Sequence, residues 1–396
     1  MLRRALILAF VLAVVGAACS TSETTTEGGD EGGGASGEPI VIGFPADLST
    51  DWAYYDVPMQ EGAQFAVDQI NENGGVLGRP LELQTVDMRN DLAEAAKVTQ
   101  QLIDDGAVHL IGTVGDAILA EGQVACAAGT PISTGLGTAP TLVGDMGECA
   151  YQLVMSDNIQ AAVLAEYAVS EGYQTAYVLG SSEIPYTKDL PVFFADAFEN
   201  GGGSVVATDE YKIGAGDYSA VVTKIANADP VPDMIFTPMF IPDSVVFLRQ
   251  LRQAGVTIPV LSTDGNADAA LLDAGAKAID GLTFSNSVCT AEGDPDVQTF
   301  YDDYLAANGS EPSSYVAVIG YDEVNIVAQS IEAAGSTDPE ALKEQLSQVD
   351  YTGISGHVVM DPETRRANKP AALIQMDETT FTCLGQPAFP EYVPAI

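Results

Sequence analysis

The chain has 396 residues, with 15 Lys plus Arg against 56 Asp plus Glu and a formal net charge of −41. That length suits two to three compact units, and so acidic a surface repels nucleic acid and anionic membranes, because phosphate binding draws on clustered Lys and Arg. Two histidines, His109 and His357, leave little room for His-rich metal sites or Ser/His/Asp relays, while 46% hydrophobic and 18% charged residues is a globular composition.

Arg3 and Arg4 precede an apolar run from Ala5 to Val15, too short to span a bilayer but suited to the core of an export signal. Val15-Gly16-Ala17-Ala18-Cys19 resembles the bacterial lipobox, which implies that residues 1–18 are removed and that Cys19 carries lipid as the new N-terminus. Residues 19–38 are Ser/Thr, Gly and acid with almost nothing to bury, so they read as a flexible lipidated linker. The expected address is extracytoplasmic, with the membrane reached through the lipid alone. Four cysteines remain, an even number in an exported chain, and three pairings are open. Cys126 with Cys149 is favoured for closeness in sequence, and Cys289 with Cys383 because it would tie the C-terminal tail back. No C-x-x-C spacing points to a metal, and no cofactor is expected.

Along the body, short β-branched runs alternate with helical periods, the pattern that builds parallel sheets. Strands are expected at 40–43, 81–87 and 108–112, with helices at 57–73 and 92–105; Leu92, Ala95, Ala96, Thr99 and Ile103 would form the buried face of the second helix. The cycle restarts near Met155 with a helix from Ile159, a strand at 175–179, a helix through 193–198 and a strand at 204–207. Tyr218, Val221, Val222 and Ile225 form a helical stripe, followed by a strand at 234–236, a helix at 242–254 and a strand at 259–261. Ligands of open parallel sheets sit beyond the carboxyl ends of strands, so function is sought at 47–55, 113–117, 134–138, 181–186, 238–242 and 263–266.

Several stretches carry a family likeness: Glu61-Gly62-Ala63 with Ala66, Ile70-Asn71, Gly74-Gly75 and Gly78; Asp217-Tyr218-Ser219-Ala220; and Phe247-Leu248-Arg249-Gln250 with Gly255. In this order and behind a lipobox, they resemble the branched-chain amino-acid binding proteins, the substrate-binding lipoproteins of ABC importers. The resemblance implies a type I periplasmic binding protein: two Rossmann-like α/β lobes with parallel-rich sheets, joined by a hinge and closing on a small ligand. Lobe one would comprise residues 40–156 and 287–358, and lobe two residues 157–286 and 371–390. It further implies a monomer that hands its solute to permease and ATPase subunits.

The same resemblance assigns site residues. An α-carboxylate would rest on lobe one at Gly137 and Thr138, where a hydroxyl and a glycine N–H can meet an anion; Thr138 as a turn or cap residue is the alternative. Asp264 of lobe two would hold an ammonium by charge-assisted hydrogen bonds, although Asp before Gly is also turn chemistry. Tyr55, Tyr186 and Phe240 would wall the site, with Trp52 nearby. Asp116 stands where amino-acid binders commonly place serine. Facing Asp264, it would favour an amine, amide or urea-like ligand; as a helix N-cap it would have no such effect.

An exported hydrolase using Asp116 and Asp264 as its acid pair is a competing class, but no G-x-S-x-G, H-E-x-x-H or phosphate loop occurs. A sensing subunit for a signalling receptor shares the fold and is indistinguishable by sequence.

Overall fold

The computed structural model describes residues 35–50, 52–290 and 293–396. The signal segment, Cys19 and most of the linker lie outside them.

The chain first builds β1 (Ile40–Ala46), α1 (Ala53–Glu72), β2 (Leu81–Asp87), α2 (Leu92–Asp104), β3 (Ala107–Ile111), α3 (Ala117–Ala128), β4 (Ile132–Thr134), α4 (Leu142–Met146) and β5 (Ala150–Gln152). A second series follows: α5 (Asp157–Ser170), β6 (Thr175–Gly180), α6 (Pro185–Asn200), β7 (Ser204–Glu210), α7 (Ser219–Ala226), β8 (Met234–Phe236), α8 (Asp243–Gln253), β9 (Val260–Ser262), α9 (Ala276–Ile279) and β10 (Thr283–Asn286). The chain then returns through α10 (Pro295–Asn308), α11 (Val316–Ala334), α12 (Pro339–Leu346), β11 (Asp350–Gly353), β12 (Gly356–Asp361) and β13 (Arg366–Ala367), and ends on β14 (Ala372–Asp377) and β15 (Thr380–Gly385).

Two sheets result, ordered β11-β12-β13-β5-β4-β3-β1-β2 and β15-β14-β10-β9-β8-β6-β7. Their cores are parallel, while the β13-β12-β11 edge of the first and the β10-β14-β15 edge of the second are antiparallel. β1 is buried along its whole length, as expected of a near-continuous apolar strand covered on both faces. Each sheet has a separate apolar cluster on either face. The chain passes between the sheets three times, at residues 153–156, 287–294 and 368–371.

Most expected elements form within a few residues of their predicted bounds, and Tyr218, Val221, Val222 and Ile225 are all buried as a stripe. Two details differ. Helix α1 begins at Ala53 and takes Pro58 inside it, so Tyr55 is a first-turn helical residue rather than part of a loop. Helix α2 buries Ala95, Val98, Thr99 and Leu102, while Leu92 remains 54% exposed. The 3.6-residue stripe starts one turn further on, because the first turn is held by the Asp91 cap rather than by packing.

The cysteines pair as Cys126–Cys149 and Cys289–Cys383. The first bridge joins α3 to the approach to β5; the second fastens edge strand β15 to the chain just after the second crossing.

The glycine-rich family motif has a packing cause. A Cβ on Gly62 would lie 1.7 Å from the Ala317 carbonyl oxygen, and one on Gly320 would lie 2.1 Å from that of Met59. Helices α1 and α11 therefore touch backbone to backbone, which fixes the helix that carries Tyr54 and Tyr55. Gly62→Ala is expected to destabilise the protein by about 1–3 kcal/mol through overpacking; an unchanged urea midpoint would contradict this close crossing.

Candidate functional site

In each sheet the first strand lies between the second and third, so helices leave in opposite directions beside β1/β3 and beside β6/β8. A crevice opens at the carboxyl ends of such strands. In lobe one, Asp47 follows β1 and accepts N–H bonds from Ser49, Thr50 and Trp52, at 3.2, 2.9 and 3.0 Å. That turn presents Trp52, whose indole lies over Gly115: a Cβ there would come within 3.1 Å of the ring, and the backbone already has a φ of +80°. The aromatic row continues with Tyr55, 5.9 Å from Trp52 between ring centroids, and Tyr54, edge-on to Tyr55 at 5.0 Å.

Beneath this row, Asp56 Oδ2 accepts the Asp47 N–H at 2.7 Å and the Thr113 hydroxyl, while the Thr113 N–H donates to Glu121 Oε2 at 3.1 Å. Thr113 and Asp56 thus pin the loops after β1 and β3 together. Burial pushes the Asp56 carboxyl up to about 7, against the lowering effect of the Thr113 hydroxyl. Glu121 is raised by burial and by the Asp56 charge.

Lobe two supplies the polar centre. The Tyr186 hydroxyl, on the first turn of α6, donates to Asp264 Oδ1 at 2.5 Å and stands 2.7 Å from Thr263 Oγ1; the Gly265 N–H reaches it at 3.3 Å. Phe240 packs edge-on against Tyr186 at 6.4 Å. Gly265 is required by this packing, since a Cβ would fall 2.5 Å from that of Phe240. Burial raises the Asp264 carboxyl, opposed by hydrogen bonds from Tyr186 and Gln160. The Gln160 amide also donates to Asp157 Oδ1 at 3.0 Å and accepts from Ser285 at 2.7 Å. Asp157 is pushed up to about 7 by burial first and by the Asp264 charge second, with the Thr138 hydroxyl pulling the other way.

The two halves meet electrostatically. Burial, then the negative charges of Asp264 and Asp268, raise the Tyr55 phenol; Tyr54 bonds to Asp268; Tyr315 is raised by burial and by Tyr55 and Asp264. Tyr55, Tyr186, Phe240 and Asp264 are therefore gathered in one place, and Thr138 joins them through Asp157 and Gln160.

Two expected residues behave otherwise. The Gly137 N–H donates to Thr134 Oγ1 at 2.9 Å and its carbonyl accepts from Gln152, so this amide is occupied by the turn. Asp116 is the N-cap residue of α3, exposed and without a capping bond. The carboxylate coupled to Asp264 is Asp157, on the first turn of α5, because the first crossing delivers that helix start to the cleft. Thr138 is not a helix cap, a position taken by Thr141. Sequence reasoning missed Tyr54, Asp157, Gln160, Asp268 and Tyr315. Tyr315 arrives on the return of the chain to lobe one, and no local signal marks it.

A carboxyl raised by folding binds its proton more tightly in the folded state than in the unfolded one. Stability is therefore fully present below the unfolded value of 3.8 and declines as pH rises towards about 7, where Asp56 and Asp157 ionise. The melting temperature of ligand-free protein is expected to fall across that window, and Asp157→Asn to flatten the fall. An Asp157→Asn profile parallel to the parent would contradict the burial of this acid.

The family model described as "Periplasmic binding protein" matches residues 39–380. The Leu/Ile/Val-binding protein BraC3 of Rhizobium johnstonii is 26% identical over 309 residues, covering 78% of this chain and 83% of its own. Among solved structures, the leucine-binding protein LivK of Thermotoga maritima aligns with a TM-score of 0.74 and 26% identity over 87% of this chain and 97% of its own. The branched-chain amino acid transporter substrate-binding protein LivJ of Streptococcus pneumoniae, solved with isoleucine, aligns with a TM-score of 0.75 and 25% identity over 88% of this chain and 100% of its own. With the match running through both sheets and all three crossings, this chain belongs to the periplasmic binding protein family.

Proposed function

We propose that the protein is the extracytoplasmic substrate-binding subunit of an ABC importer, trapping a small amino-acid-like solute between its lobes and performing no bond-making. The observation that carries this reading is the Tyr186–Asp264 pair of lobe two facing Tyr55 and Tyr315 of lobe one. Among the described residues, no Lys or Arg forms an ion pair with Asp264, Asp157 or Asp268. A carboxylate held this way selects a ligand that brings its own cation or N–H donors, since a ligand lacking them leaves the acid unpaired.

The names of the relatives point to an α-amino acid with an apolar side chain. Its ammonium would meet Asp264 and Tyr186, its side chain would lie against Tyr55, Tyr315 and Phe240, and its carboxylate would lie towards Thr138. Exposed Asp116 keeps its own hydration and so leaves room for an α-carboxylate. Amides and amines satisfy Asp264 equally well. Lobe one (40–156 and 287–358) and lobe two (157–286 and 371–390) would close about the three crossings as a monomer, with Cys19 as the lipid anchor and permease and ATPase as partners.

Titration calorimetry with L-leucine, L-isoleucine, leucinamide and putrescine tests this reading. At least one is expected to bind, and Asp264→Ala to weaken it by more than ~2 kcal/mol, about 30-fold; equal affinity would remove Asp264 from the site. Cys19→Ser is expected to release the protein from the membrane fraction, and a variant that stays there would refute the anchor.

A further inference from the structure

The three crossings converge on one small cavity. Leu153 lines it from the first, Ser287 from the second and Lys369 from the third, with Asp322, Glu323 and Ser355 of lobe one completing its polar side. Its volume is about 10 Å³, room for one water molecule. Lys369 and Glu323 are 3% and 1% exposed, so both bring an ionisable group into the interior.

The bonds around this cavity are accounted for except on the side facing it. Lys369 Nζ donates to Ser355 Oγ at 2.8 Å, one of the three donors of an ammonium. Asp322 Oδ2 accepts the Ser355 N–H at 2.7 Å, and Oδ1 accepts the Ile354 N–H at 3.1 Å and the Tyr351 hydroxyl at 3.2 Å. Glu323 Oε1 accepts the Ser133 hydroxyl at 2.5 Å, and that hydroxyl stands 2.7 Å from His109 Nε2. Glu323 Oε2 is buried with no hydrogen-bond partner among the described residues. Lys369 and Glu323 line the same space without forming a direct ion pair among those residues.

Burying a charge is costly unless it is paired and hydrogen-bonded, and two such groups around a water-sized polar space match the requirement for an internal water with two to four partners. We propose that this cavity is a single-water site in which the water donates to Glu323 Oε2 and accepts from Lys369 Nζ, making these two side chains the positioning residues of the hinge. Glu323 belongs to lobe one and Lys369 to the strand running into lobe two. A bridge between them ties the third crossing to α11 beside the other two, and so sets how freely the lobes swing. This mechanical role extends the closure reading given above; the water site itself does not depend on it.

A crystal structure of the ligand-free parent protein at better than about 1.8 Å is expected to show one ordered water within hydrogen-bond reach of both groups, by the distances such bonds adopt. Amide hydrogen exchange then tests the mechanical role. Lys369→Met, which keeps chain length and removes the donor, should speed exchange at 153–156, 287–290 and 368–371 by about tenfold, the loss of roughly one charged hydrogen bond. The lobe cores should be unchanged. Glu323→Gln keeps an oxygen towards the cavity and should perturb exchange less. A dry cavity, or a direct Lys369–Glu323 contact in its place, would overturn the water site. Exchange raised evenly through both lobes would overturn the hinge role while leaving the importer reading intact, whereas failure of all four solutes to bind would undercut that reading without moving the water.

Discussion

The winding order of the two sheets is the constraint on which the rest of the structure depends. In each, the first strand is inserted between the second and third, so successive connections depart to opposite faces and a crevice remains where they part. Asp47, Asp56 and Thr113 occupy that place in lobe one, where Asp56 draws the loops after β1 and β3 together by accepting from both. In lobe two, Tyr186 begins the helix after β6, and Asp264 follows β9. The aromatic row and the acid face each other because both sheets present their carboxyl ends to the same cleft.

The cleft is costly to build. Asp157 and Asp264 stand near each other inside the protein, and Asp56 and Glu121 do so below the aromatic row, with burial raising all four carboxyls. Hydroxyls and amides offset part of this cost: Thr138 and Gln160 on Asp157, Tyr186 and Gln160 on Asp264, Thr113 on Asp56 and Glu121. Such donors stabilise an anion without neutralising it. The remaining imbalance is what a cationic guest can relieve, so the stability given up in the empty site reappears as selectivity.

Rigidity elsewhere makes that arrangement usable. Gly62 and Gly320 let α1 and α11 meet at backbone distance, which holds Tyr54 and Tyr55 on one fixed helix and leads Tyr315 in from the start of the other. The Cys289–Cys383 bridge and the tail, where the Asn158 amide donates to the Pro394 carbonyl at 2.9 Å, tie the end of the chain to segments beside the crossings. Motion is thereby confined to three short strands of backbone between two well-packed bodies.

The sequence by itself determined the alternation of strands and helices, the two-lobed α/β class and the likeness to a binding-protein family, because periodicity and turn chemistry are local. It also singled out Tyr186 and Asp264, which follow strands of a recognisable pattern, and the two disulfide partners of each cysteine pair. Only the tertiary structure decided that Asp157, rather than Asp116, stands beside Asp264, since that depends on where the first crossing delivers a helix start. It likewise decided that the Gly137 amide is consumed by a Thr134 turn, and that Tyr315 enters the cleft from a return segment more than two hundred residues beyond Tyr55 in the chain. Spacing along a chain reports which face a residue occupies; which distant faces are brought together is fixed by packing, and no local pattern encodes it.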